Sequence, residues 1–131
     1  MTIALLPLIG IVIGATLQYF FTTYLENKRH HRERRTEAYI DFLKYVADAA
    51  HTDSSDPRRK EIGARVTDSK ARICLYGSTK VTAALGLFER LGAQLKSEKQ
   101  ITAFVELVAS MRSDSGTKGK AEIDDLKEIL F

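Results

Sequence analysis

Charge is absent from the first 25 residues: the 20 Lys and Arg and the 17 Asp and Glu of this 131-residue chain all lie from Glu26 onward. Such a segment has no polar face to turn toward water, which leaves roughly a hundred residues for a single soluble domain. Cysteine is almost absent as well. Cys74 alone excludes an intrachain disulfide and a disulfide-stapled secreted scaffold, fits a reducing compartment, and reads as a small core residue. Sustained period-two alternation is missing, which argues against a sheet. The three histidines, His30, His31 and His51, lack paired zinc-ligand spacing, because the first two are neighbours and point to different helix faces. "LYGSTK" contains Gly77, Ser78 and Lys80 without the glycine pattern of a phosphate-binding loop. Asp124 and Asp125 diverge on a helix and make a poor carboxylate pair. No metal, cofactor or catalytic residue is therefore expected, and the chain is not read as an enzyme.

What the first segment does have is length. Ile3 to Leu25 would span roughly 34 Å as a helix at 1.5 Å per residue, against a hydrocarbon core of about 30 Å. It ends in Tyr24-Leu25-Glu26-Asn27, with no basic residue before it and no small-x-small cleavage site after it, so the expectation is an uncleaved transmembrane helix over 1–25. Lys28, Arg29, Arg32, Arg34 and Arg35, opposed only by Glu33, put the Asn27 side in the cytoplasm and the N-terminus outside. Tyr19, Phe20, Phe21 and Tyr24 crowd the same end, where aromatic rings favour the interface. The five basic residues are candidate contacts for anionic lipid headgroups. A nucleic-acid partner is not expected, since the remaining charge is nearly balanced and the net charge is only +3.

Gly10, Gly14, Gln18 and Thr22 recur every fourth residue and share one helix face. Two readings fit this stripe. Either it is an ordinary glycine pair with Gln18 reaching the interface, or it is a close helix contact or lumen lining that drives self-association.

From Glu26 to Phe131 the pattern is helical, with no Pro or Gly from Ala15 to Ala50 to separate the span from the domain. Tyr39, Phe42, Leu43 and Val46 repeat at i, i+3, i+4 and i+7. Asp56 and Pro57 suggest the N-cap and first position of the next helix, which buries Ile62, Val66, Ile73 and Tyr76 and ends at Gly77. Ser78 then caps a stripe of Val81, Leu85, Phe88, Leu91 and Leu95. Ser97 and Gln100 form a capping box ahead of Ile101, Phe104, Val105, Val108 and Met111. That helix stops near Gly116, and after "SGTKGK" a short tail helix carries Ile123, Leu126, Ile129, Leu130 and Phe131. The expected fold is all-α: one transmembrane helix continuing into a bundle of about four helices over 26–131. Arg72, Arg112 and Asp114 sit near helix ends and are read as a polar cluster, structural or between subunits.

The order of the N-terminal helix, "KRHHRERR", "EAYIDFL", "RICLYGSTKV" and "MRSDSG" resembles a family of small bacterial single-pass membrane proteins with a cytosolic helical domain. More distantly it resembles the pore-forming membrane accessory protein of type VI-B CRISPR systems, whose helical domain is HEPN-like. The arginine-to-histidine spacing of HEPN ribonucleases is missing here, so no catalytic residue carries over. The resemblance implies a homo-oligomer in the bacterial inner membrane and a pore acting in antiviral defence. The alternative is a tethered adaptor whose helical domain binds a defence effector. Expected partners are accordingly membrane lipids, further copies of the chain and, under the alternative, that effector protein.

Overall fold

The computed structural model describes residues 2–117, 119 and 122–131. Met1 of the expected span and Lys118 and Lys120 of the expected loop lie outside them. The chain is all-helical: α1 (Thr2–Ala50), α2 (Arg59–Tyr76), α3 (Thr79–Arg90), α4 (Glu98–Asp114) and α5 (Ile123–Leu130). It divides into two compact units, Met1–Glu33 and Arg34–Phe131. The packing boundary thus falls eight residues after the hydropathy boundary at Leu25, and Glu26 to Glu33 are all exposed.

In the first unit α1 has no tertiary partner. Ile11, Leu17, Phe20 and Phe21 are 65–69% exposed, and the helix includes a stretch of mean hydropathy 1.5, long and apolar enough to cross a membrane. Pro7 lies inside the helix, a turn after its start. Helix suits such a segment because every backbone polar group is satisfied within it.

The second unit is built around Ala38, Tyr39 and Phe42 of α1, Ile73 of α2, Val81, Leu85 and Phe88 of α3, and Ala103, Phe104, Leu107 and Met111 of α4, all buried. Leu43, Val46 and Val66 pack on this core at its edge. Phe88 and Phe104 meet with ring centroids 5.4 Å apart, and Phe131, just past α5, sets its edge 6.2 Å from Phe104. The terminal phenylalanine is therefore tied to its own domain, although 55% exposed. Two buried serines join this apolar interior. Ser69 donates to Val66 O at 2.8 Å and Ser110 to Glu106 O at 3.0 Å, so neither hydroxyl is left without a bond.

The caps show why the helices begin and end where they do. Ser78 Oγ accepts from Val81 N at 3.2 Å. Ser97 and Gln100 complete the expected capping box, and Gln100 Nε2 also donates to Leu91 O at 2.7 Å, pinning the α3–α4 loop. Gly77 ends α2 with φ −66°, so it is not needed for a left-handed turn. It is needed for space: a Cβ there would lie 2.5 Å from Ile73 O.

Three local expectations are corrected. Asp56 and Pro57 do not open α2. Asp56 Oδ1 accepts from Arg58 N at 2.9 Å and its carbonyl from Arg59 N at 3.1 Å, a tight turn that suits proline's fixed φ. The first helical link is Ile62 N to Arg58 O, two residues later than expected. The α3 stripe also outruns its helix, because the chain turns at Gly92 (φ 103°) and Ala93 (φ 52°), yet Leu91 and Leu95 still pack on the core from the loop. Cys74 is exposed rather than a core residue, since Ile73 takes the inward position beside it.

Candidate functional site

The two units present two different candidate surfaces. In the first, Gly10, Gly14, Gln18 and Thr22 are all exposed. A Cβ built on Gly10 or Gly14 meets nothing within 4 Å, so the stripe is open to whatever approaches this face. Thr16, one face over, returns its hydroxyl to Val12 O at 2.8 Å, which hides a polar group the composition alone leaves unexplained.

The basic run divides at the unit boundary. Lys28, Arg29 and Arg32 are exposed, with Arg29 Nε 3.0 Å from Glu33. Arg34 and Arg35 belong to the folded domain. Arg34 Nη1 donates to the Tyr76 hydroxyl at 3.3 Å, with its guanidinium 6.0 Å from that ring. Arg35 Nε donates to Tyr76 O at 2.8 Å and Nη1 to Asp114 Oδ1 at 3.2 Å. Of the five expected headgroup contacts, Arg35 is thus held inside the domain, because α2 ends with an unsatisfied carbonyl and α4 with a carboxylate beside it.

Asp114 anchors the polar node of the second unit. Its other oxygen accepts from the Tyr39 hydroxyl, and that hydroxyl accepts from Ser78 N at 3.3 Å. Residues of α1 and α4, the end of α2 and the cap of α3 therefore meet at one place. Burial, reinforced by the bond to Asp114, pushes the Tyr39 phenol up to about 12. At neutral pH the phenol is fully protonated and already both donating and accepting, so this node behaves as a strut.

The expected cluster of Arg72, Arg112 and Asp114 is not one site. Arg72 binds Asp41 at 2.7 Å and Asp68 at 3.2 Å, tying α2 to α1, and the Asp41 bond raises its pKa. Asp114 binds Arg35 and Tyr39 instead, and Arg112 is exposed. Tyr39 and Arg35 were the partners to find: one was read only as core and the other only as surface charge. An arginine followed four residues later by a tyrosine on a core face is the signal that could have paired them. Among the described residues no group of three or more His, Cys, Asp or Glu is placed to hold a metal.

No protein-family model matches this sequence, and no curated protein or solved structure matches it either. Its function has to be argued from its own residues.

Proposed function

We propose that this chain is a single-pass inner-membrane protein that assembles with copies of itself through the stripe Gly10, Gly14, Gln18 and Thr22, and that Arg34–Phe131 is the cytosolic helical module it carries. The observation behind this reading is the open space over Gly10 and Gly14 on a helix whose apolar side chains are uncovered all round. In lipid, close backbone approach and interhelical hydrogen bonds drive association, and a face with two glycines and a glutamine offers both. Lys28, Arg29 and Arg32 supply the cytoplasmic anchor, each worth about 1 kcal/mol near an anionic surface. A pore acting in antiviral defence is the assembled form that the resemblance to the CRISPR accessory protein implies.

Mass measurement of the full chain in nanodiscs, beside Gly10→Leu/Gly14→Leu, tests the proposal. A discrete oligomer that the double substitution reduces to monomer supports it, and conductance across a planar bilayer then asks about a pore. A wild-type monomer across a wide concentration range sinks it.

A second reading, a membrane-tethered adaptor, is favoured by Ile40 and Leu75, which stand 60% and 70% exposed on the helical domain. It predicts that Leu75→Asp abolishes binding of a protein partner while Gly14→Leu does not.

A further inference from the structure

A cleft of 460 Å³ opens in the helical domain between the last turns of α1, the middle of α2 and the α3–α4 loop. That volume lies within the roughly 300–1,000 Å³ range of small-molecule sites. Its walls are apolar: Val46 and Ala49 from α1, Val66 from α2 and Leu95 from the loop, over a floor of Phe42 and Phe88. Its rim is cationic. Arg59, Lys70 and Lys96 stand there against a single acid, Glu89. Lys70 Nζ is 2.6 Å from Glu89 and neutralises it. Arg59 uses one guanidinium nitrogen on Thr52 O at 3.2 Å, a neutral partner that leaves its charge in place. Among the described residues no carboxylate pairs with Arg59 or Lys96.

We propose that this cleft binds a small organic carboxylate with an apolar body, the body against Val46, Val66 and Leu95 and the carboxylate between Arg59 and Lys96. A neutral apolar molecule would leave two cations without a counter-charge, and a small inorganic anion would leave the apolar walls against water. Only a molecule with both parts satisfies both surfaces, and arginine's fork suits a carboxylate. This site is independent of the membrane stripe, and its occupancy does not require self-association.

The probe is 2-naphthoate, followed by its own fluorescence anisotropy with the full chain in nanodiscs, with empty nanodiscs and methyl 2-naphthoate as comparators. The expected result is saturable binding of one naphthoate per chain, absent from empty nanodiscs and at least tenfold weaker for the neutral ester. Arg59→Gln/Lys96→Gln should weaken binding at least fivefold, and Ala49→Trp should block it, each with an unchanged helical melting curve. Equal binding of acid and ester, or the same signal from empty nanodiscs, overturns the proposal. So does full affinity in the double variant, which alone decides the matter should Ala49→Trp fail to fold.

Discussion

Met1–Glu33 and Arg34–Phe131 are both helical, yet opposite rules hold them. In the first unit, large apolar side chains such as Ile11 and Tyr19 are each 69% exposed, and the only bonds are within the helix or between near neighbours such as Arg29 and Glu33. In the second, Tyr39, Phe42 and Phe88 are at most 2% exposed, and the polar groups that accompany them inside are bonded, as Ser69 and Ser110 show. A packed core defines the second unit, whereas the first awaits an apolar surrounding to define it. The same substitution should therefore have different consequences in the two places, which gives the comparison its tests.

The largest effect belongs to the core. Phe42→Ala removes a fully buried ring and should cost about 3–5 kcal/mol of unfolding free energy, enough to abolish most of the cooperative melt seen by circular dichroism. Leu17→Ala, at a position 65% exposed, should leave that melt unchanged. A comparable loss from Leu17→Ala would mean that the first unit has a packing partner.

Next comes a test that only the first unit should feel. Ile13→Arg puts a charge midway along the expected span, where insertion scales assign about 2.5–3.5 kcal/mol. The membrane-associated fraction after alkaline extraction should fall steeply while the melt of the helical domain stays put. Unchanged extraction would remove the ground for calling this unit a span.

A smaller effect is confined to the second unit and to high pH. The folded pKa of Tyr39, about 12, lies above its ordinary value of 10.0. Its contribution is therefore fully present below pH 10 and lost as pH rises through 12, because the unfolded chain gives up the proton first. Two pKa units correspond to on the order of 2–3 kcal/mol. Denaturant titrations from pH 9 to 12 should show the wild type losing that much more stability than Tyr39→Phe, which starts lower but lacks this titration. Parallel profiles would mean that the phenol is not held as the structure places it.

How much of this was legible beforehand varies with the kind of signal. Patterns fixed by local rules were readable: the apolar positions 39, 42, 43 and 46, the Ser78 cap and the Ser97–Gln100 box all depend on residues within a turn or two of one another. Cys74 was misread because hydrophobicity ranks a residue type, whereas the rotation of α2 brings Ile73 inward and leaves its neighbour outside. The polar node was invisible for a different reason. Arg35 and Asp114 are 79 residues apart, and nothing in either one's neighbourhood names the other. A basic run looks uniform as letters, and only packing separates Arg35 from Arg32.

The finest test uses one substitution in both units. Gly63 lies inside α2, exposed, with nothing within 4 Å of an added Cβ. Alanine there removes the entropic cost of a helical glycine and should stabilise the domain by about 0.5–1 kcal/mol in thermal or denaturant melts. Gly14 has the same open surroundings in the isolated chain, so helix propensity alone predicts a similar gain. If a second copy packs against Gly14, however, the added methyl holds the two backbones apart and Gly14→Ala weakens association even as it favours helix. Opposite signs, a gain in domain stability for Gly63→Ala and a loss of oligomer for Gly14→Ala in nanodiscs, would show that open space means solvent in one unit and a neighbour in the other. A silent Gly14→Ala would place lipid, not protein, over the stripe and leave the tethered adaptor as the better reading.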